Sequence, residues 1–164
     1  LINEISIGKN RLKLIKTISQ SYSKAPFYND AYPLIENILK NTEDNLGFFL
    51  EYLIRKICGY LSISTNIITS SSMEKDDTLR GQDKVIHICK KLKAGQYINA
   101  IGGKELYDKL VFDDAGIKLF FLKSDNVKYK QFDNDFIPCL SIIDVMMFNS
   151  ISDIQTMLNG YELI

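Results

Sequence analysis

The chain has a single histidine, no tryptophan, three cysteines, three prolines and no net charge among its 164 residues. Each shortage closes off a chemistry. With His87 alone, no site built on two histidines can form, which removes most catalytic zinc and non-haem iron arrangements. Cys58, Cys89 and Cys139 are odd in number, far apart and outside any Cys-x-x-Cys pair. They are expected to be buried, reduced thiols, with no disulfide or metal framework. Lys and Arg balance Asp and Glu at 20 each, whereas a protein that tracks nucleic-acid phosphates needs a basic excess. No apolar run reaches the roughly 20 residues of a membrane helix. The longest, from Phe136 to Phe148, is broken by Pro138, Ser141 and Asp144. No signal peptide is read at the start, so a cytoplasmic setting is expected, with neither nucleic acid nor membrane as partner.

What is present suits an ordinary packed domain. Hydrophobic side chains make up 46% of the residues, and the length fits one domain with no need of a covalent staple. A first part, 1–62, reads as helical. Leu14, Ile15, Ile18 and Tyr22 recur at helical spacing. Pro26 then breaks the chain, and Pro33 is placed in the first turn of the next helix. Phe27, Tyr28 and Tyr32 crowd that corner, either as core anchors or as a stacking surface. A third helix, Asn45 to Leu61, is apolar nearly all round and is expected to be buried on most sides.

The texture changes over 63–123, which reads as a βαβαβ core. Strands are expected at Thr65 to Thr69, Gln96 to Ile101 and Ile117 to Leu122, with a helix from Arg80 to Lys93 and a short one after Gly102-Gly103. The implied fold is α/β: a three-layer, mostly parallel, short-stranded sheet with helices on both faces. Residues 124–164 add a polar loop and a helical C-terminal region. Capping boxes are read at Ser141/Asp144 and at Ser152/Gln155, the second helix ending at Asn159-Gly160.

In an open parallel sheet, ligands bind beyond the carboxyl ends of the strands. That rule selects Asn99, Gly102, Gly103 and Lys104, where a strand runs into bare glycines and a helix start, with Ser70, Ser71 and Ser72 at a neighbouring strand end. The glycines read either as a tight turn or as an anion cradle, although the spacing of a P-loop is absent. The serines read either as ligand hydroxyls or as a helix cap. His87 falls opposite the Val85/Ile88/Cys89/Leu92 face and is expected in solvent, away from any serine. Cys89, on the apolar face, reads as inert. Asp76-Asp77 and Asp113-Asp114 lie in turns where adjacent side chains point apart. Basic clusters hide inside the neutral total: five basic residues against Glu4 in 1–24, and five against Asp83 in 80–93. These are solvated faces or a patch for an anionic partner. The residues name a binding edge, no catalyst, no metal and no cofactor.

Several stretches together resemble the WbqC-like family of bacterial proteins. They are Tyr22-Ser-Lys-Ala-Pro-Phe-Tyr28, Leu61-Ser-Ile-Ser-Thr65, Leu79-Arg-Gly-Gln-Asp-Lys84, Tyr97-Ile-Asn-Ala-Ile-Gly-Gly-Lys-Glu-Leu-Tyr107, Tyr129-Lys-Gln131 and Phe136-Ile-Pro-Cys-Leu-Ser-Ile-Ile-Asp144. The resemblance implies a role in O-antigen or other surface-polysaccharide biosynthesis, with transfer of a group onto a nucleotide-linked sugar. Carried onto matching positions, it implies a site for a small anionic ligand, a nucleotide or sugar nucleotide, at Ser70, Ser71, Arg80, Asn99, Gly102, Gly103, Lys104, Tyr107, Tyr129 and Gln131. It also leaves room for a homo-oligomer or a biosynthetic-enzyme partner, and for a non-catalytic scaffold role. Members carry a Gln-Pro-aromatic-Pro-type segment ahead of the matched region. Together with the Leu-Ile-Asn-Glu start, its lack leads us to expect a domain without its first strand.

Overall fold

The structure is a computed structural model that describes residues 4–8, 10–133 and 135–164. In chain order the helices are α1 (Arg11–Tyr22), α2 (Tyr28–Leu39), α3 (Leu46–Tyr60), α4 (Gly81–Lys91), α5 (Lys109–Asp114), α6 (Ile142–Phe148) and α7 (Ile151–Met157). The strands are β1 (Gln96–Ala100), β2 (Lys118–Ser124) and β3 (Tyr161–Leu163). The chain forms two compact units. One holds Leu1–Ile67 with Val127–Asn159, and the other Ile68–Asn126 with Gly160–Ile164.

The first unit is helical. Ile15 and Ile18 of α1 and Ala31, Ile35 and Ile38 of α2 are the positions that helical periodicity brings to one side, and all are buried. Ile18, Ala31 and Ile35 meet Leu61, Met146, Met147, Phe148 and Ile154 in one cluster. Phe27 donates its N–H to the Met147 carbonyl at 3.0 Å, fixing the connection that Pro26 forces. Tyr28 and Tyr32 stack at 4.7 Å and pack on this core, so the aromatic corner is an anchor. Pro33 sits inside α2 and not in its first turn, because the helix already starts at Tyr28. Its missing N–H leaves the Asn29 carbonyl without the usual partner.

Asn45 caps α3, accepting from the N–H groups of Gly47 and Phe48. The helix ends in a Schellman turn, with Ser62 at φ +57° and Ile63 N–H on the Cys58 carbonyl at 2.8 Å. Contrary to the all-round burial expected of it, only Phe49 of α3 is buried, while Phe48 and Ile54 stand exposed. An apolar helix is not thereby a covered one. Thr65 to Thr69 is not a strand. Its β-branched residues suit one, but Arg55 of α3 takes the Ile67 carbonyl at 2.9 Å in place of a strand neighbour.

At the C-terminal side, Ser141 accepts from Ile143 N–H, but the expected Ser141/Asp144 box does not close. Asp144 turns inward, as described below. The second box exists two residues earlier than read: Ser150 and Asp153 cap α7 reciprocally. That frees Gln155 to donate to the Leu61 carbonyl at 2.9 Å, at the end of α3.

The second unit is a small α/β layer. β1 and β2 pair in parallel, Tyr97 beside Leu119 and Asn99 beside Phe121. β3 pairs antiparallel with β2, Leu163 beside Leu122, so the sheet is mixed in the order β1-β2-β3. A parallel pair needs a crossover, supplied by a 3-10 stretch, Ile101–Leu106, and α5. Leu119 and Phe121 point to the covered face and are buried with Phe112, Ile117, Ile86 and Cys89. Tyr97 stacks on Phe112 at 5.6 Å. The alternate residues face the other way, and Ile98, Tyr161 and Leu163 there are exposed. The mostly parallel sheet with helices on both faces is therefore corrected to a three-stranded mixed sheet whose open face carries exposed apolar side chains.

The α4 helix follows expectation, with Arg80 as N-cap residue and Cys89 buried, but its buried partner is Ile86 and Leu92 is exposed. It stops before Gly95, because Lys93 adopts φ +53° and Ala94 N–H returns to the Cys89 carbonyl at 2.9 Å. Of the cysteines, Cys89 is buried, Cys58 half-buried and Cys139 exposed, so the buried expectation holds for one of them. No described helix is long and apolar enough to cross a membrane.

Phe112 is fully buried between the aromatic pair and the strands, whereas neighbouring Leu110 is 72% exposed. Phe112→Ala is expected to cost about 3–5 kcal/mol. Leu110→Ala should stay within about 0.5 kcal/mol, both read by urea unfolding. Equal effects from the two would overturn this account of the core.

Candidate functional site

The residues selected by sequence divide between the two units. In the second unit, β1 delivers Asn99 to the carboxyl end of the strand, and the chain turns at once into Ile101–Leu106. Asn99 Oδ1 accepts the N–H of Ala100 at 2.8 Å, which orients the amide. Its Nδ2 then occupies the space a side chain on Gly103 would need, since a Cβ there would lie 2.6 Å away. Gly103 is thus bare because Asn99 packs on it. Gly102 has nothing within 4 Å of a Cβ position, so its backbone is open to solvent. Lys104 follows it, exposed. The short helix expected after the glycines is a six-residue 3-10 stretch that already includes them. It has the exposed Gly102 near its start but not the aligned dipoles of a longer helix.

Tyr107 closes the turn from below. Its ring meets Tyr97 at 5.7 Å and Phe112 at 5.9 Å, both edge-on. Burial, and then a hydrogen bond to Tyr107, push the Tyr97 hydroxyl up to about 12. The loop is also tied to α4, because Asp108 N–H donates to Gln82 Oε1 at 3.1 Å. Asn99, Gly103 and Tyr107 therefore form one packed group.

The serine loop and Arg80 form a second group within the same unit. Lys75 donates to the Ser70 carbonyl and lies 3.8 Å from Asp77, which Lys84 also holds at 3.1 Å. Arg80 folds back onto the carbonyls of Asp77 and Leu79. Ser70 and Ser71 remain exposed. Among the described residues, no hydrogen bond or ion pair links this group to Asn99 or Lys104. Asp76 and Asp77 do not act as a pair. The Thr78 hydroxyl and N–H hold Asp76 below the usual carboxylate range, while the Lys84 hydrogen bond and then the Lys75 charge do the same for Asp77.

His87 is half-buried, not in solvent, and its Nε2 accepts the Asp76 N–H at 3.3 Å. The ring thereby braces the loop that precedes α4. Among the described residues, no group of three His, Cys, Asp or Glu side chains is placed to hold a metal ion.

Tyr129 and Gln131 belong to the first unit, where they meet a residue the sequence had assigned to a helix cap. Asp144 is 3% exposed. Its carboxylate accepts from Tyr22 Oη at 3.0 Å, Tyr129 Oη at 2.7 Å and Gln131 Nε2 at 2.8 Å. None of these donors is charged. Gln131 also pairs with Ile137 through both backbone groups, donating to its carbonyl at 3.1 Å and accepting its N–H at 2.8 Å. The Ser-x-x-Asp spacing obeyed a local rule, but a buried carboxylate left without donors costs more than a missing cap contributes. Burial is the largest cause that raises both tyrosines to about 12, followed by hydrogen bonding to Asp144. The signal available in sequence was the recurrence of Tyr22, Tyr129, Gln131 and Asp144 in the quoted motifs, which no local pattern could join.

The sequence pattern of the WbqC-like protein family matches residues 1–156. The protein Rv1507c of Mycobacterium tuberculosis is 27% identical over 136 residues, covering 82% of this chain and 58% of that protein. The chain thus matches little more than half of that relative's length. No solved structure matches the chain significantly.

The hydroxyls of Tyr22 and Tyr129 stay protonated in the folded chain to about 12, above the ordinary 10.0. Their contribution to stability is complete below pH 10.0 and lost as pH rises toward about 12. An ultraviolet titration should show a late-ionising tyrosine fraction that shrinks in the variant carrying Tyr22→Phe and Tyr129→Phe. Each single variant should also lose roughly 1–3 kcal/mol in urea unfolding, the cost of removing one donor from a buried acceptor. Ordinary titration of every tyrosine would overturn the assignment.

Proposed function

Because the chain belongs to the WbqC-like protein family, we propose that it acts in bacterial surface-polysaccharide biosynthesis, binding a nucleotide-sugar or other phosphorylated metabolite for group transfer. The observation that carries this reading is the carboxyl end of β1. There an open Gly102 backbone is followed by an exposed Lys104, and both are held by the Asn99–Gly103–Tyr107 packing. An exposed glycine at the start of a turn, close to a lysine, is a setting that suits a phosphate, since a backbone N–H and an ammonium there each add a charge-assisted hydrogen bond. Arg80 and the Ser70 and Ser71 hydroxyls supply further donors from the same unit. Tyr129 and Gln131 serve the Asp144 carboxylate and enter this reading only as support for their own unit. No side chain is given the role of catalyst, and the cytoplasm remains the compartment this role implies.

A second reading, a non-catalytic binding or scaffold protein of a biosynthetic complex, is favoured by a different observation. Ile98, Tyr161 and Leu163 stand exposed on the open face of the sheet. Tyr28 and Tyr32 do not supply the surface that reading expected, because they stack together and pack on the core.

Isothermal calorimetry with a panel of nucleotide sugars and the matching nucleotides tests the first reading. Binding by at least one, weakened roughly tenfold in Lys104→Ala through loss of one charge-assisted contact, is expected. Gly103→Ala should weaken it too, since the new methyl displaces Asn99. No binding, or binding indifferent to Lys104, sinks the proposal. A stable protein partner lost on Ile98→Asp then marks the second reading.

A further inference from the structure

Helix α2 ends at Leu39 and α3 begins at Leu46, and the short loop between them is unusually well fixed. The Arg11 guanidinium donates to the carbonyls of both Asn41 and Glu43, and lies over the Phe49 ring at 5.1 Å. Asn41 Oδ1 accepts the Glu43 N–H at 2.7 Å, and Glu43 Oε1 accepts the Asn45 N–H at 2.8 Å. Ile7 N–H donates to the Asp44 carbonyl at 2.8 Å, tying the loop to the preceding segment. These bonds consume one oxygen each of Asn41 and Glu43. The Asn41 Nδ2 and the second Glu43 oxygen enter none of them, and one oxygen of the exposed Asp44 carboxylate pairs with Arg11 at 3.6 Å.

Those groups border a shallow hollow of about 380 Å³, lined by Asn41, Thr42, Glu43, Asp44, Phe48 and Tyr52. The volume is at the low end of small-molecule clefts, roughly 300–1,000 Å³. Phe48 is 60% exposed at the start of α3, a large apolar ring turned to water where helix propensity asks for none. The Tyr52 hydroxyl donates to Asn37 Oδ1 at 3.0 Å, which fixes its ring and leaves the oxygen's lone pairs to accept.

The lining chooses among ligands. The residues lining this hollow include no Lys or Arg, and the Arg11 guanidinium behind the loop is taken up by Asp44 and the Asn41 and Glu43 carbonyls, so it is not a second phosphate site. No group of three potential metal-ligating side chains is placed together among the described residues. An organic cation would need acceptors only, yet the lining mixes acceptors with an amide donor and hydroxyls over an exposed aromatic face. That mixture suits a polyol ring, whose hydroxyls both donate and accept while its C–H face covers an aromatic ring.

We propose that this hollow binds a neutral carbohydrate, one sugar ring lying on Phe48 with its hydroxyls on Glu43, Asp44 and Asn41. A second hollow of about 380 Å³ flanks the same loop and shares Asn41, Thr42 and Asp44 with the first. The loop is therefore a ridge between two hollows, and an oligosaccharide that crosses it gains contacts a single ring lacks. The site lies in the helical unit and is independent of the phosphate reading at Gly102 and Lys104.

Amide-resolved NMR of the labelled chain tests this with methyl glycosides of neutral hexoses and N-acetylhexosamines, and with a linear neutral tetrasaccharide. Shifts at residues 41–48 are expected at tens of millimolar monosaccharide, with tighter binding of the tetrasaccharide. Phe48→Ala should weaken binding roughly tenfold, the loss of one stacked aromatic contact. The exposed position means the fold survives, which the variant's own spectrum verifies. Absence of shifts with every sugar, or shifts unchanged by Phe48→Ala, overturns the proposal. So does preferential binding of spermidine, run as the cationic control. Nucleotide-sugar shifts at residues 99–107 alone would support the phosphate reading while refuting this one.

Discussion

A carboxylate taken out of water must be satisfied, and Asp144 is satisfied without any cation. The helical unit is organised around that requirement. Its donors come from the last residue of α1, from the segment after β2, and from the glutamine that in turn grips Ile137. The carboxylate thus pulls together chain segments that no local rule associates, Tyr22 and Asp144 being 122 residues apart. On the same short helix, Met146 and Met147 are fully buried in the apolar cluster. One turn of α6 therefore carries both the unit's deepest packing and its most demanding polar group. Neutral donors hold the charge by hydrogen bonding alone, so the arrangement tolerates little loss.

Much of the fold was legible where local and global demands agree. Periodicity located α1, α3 and α4 closely, and alternation with apolar runs located β1 and β2. The failures share one physical cause, a distant partner overruling a local preference. Thr65 to Thr69 has strand-forming residues but no strand beside it, and Arg55 claims the Ile67 carbonyl. Tyr161–Leu163 is too short to announce itself, yet β2 needs an antiparallel neighbour and obtains one there. Asp144 fits a capping box by spacing, but the core needs its oxygens more. His87 is on the side of α4 that periodicity turns away from the core, and the Asp76 N–H recruits it to the preceding loop.

The candidate site was half legible for the same reason. Asn99, Gly103 and Tyr107 lie within nine residues on one strand–turn, and the structure packs them together. The glycine's role changed on inspection of its neighbours. Gly103 makes room for the Asn99 amide, and only Gly102 presents backbone freely. Ser70 and Arg80 are held by bonds within their own loop. The Asn41–Asp44 hollow drew no attention in sequence, because asparagine, threonine and two acids between helices read as any polar loop. Its distinction, the Arg11 clamp beside an exposed Phe48, is a matter of three dimensions.

Each unit is discontinuous in the chain: the helical unit is interrupted by the sheet, and the sheet takes its third strand from beyond the helical unit's last residue. Folding therefore cannot proceed as two independent events in sequence order. The parallel β1–β2 pair can form early, but β2 remains an edge until residues 160–164 come back to it, after the entire α6–α7 segment has been traversed. Until then the Phe121 and Leu122 backbone offers unpaired groups beside an apolar face, the arrangement most open to pairing with another chain. Closing long loops carries an entropic penalty before the distant contact rewards it. Completion of the helical unit, by drawing residues 127–159 together, shortens the loop that β3 must close. The chain's order thus ties protection of the β2 edge to a segment that lies beyond the last residue of the other unit.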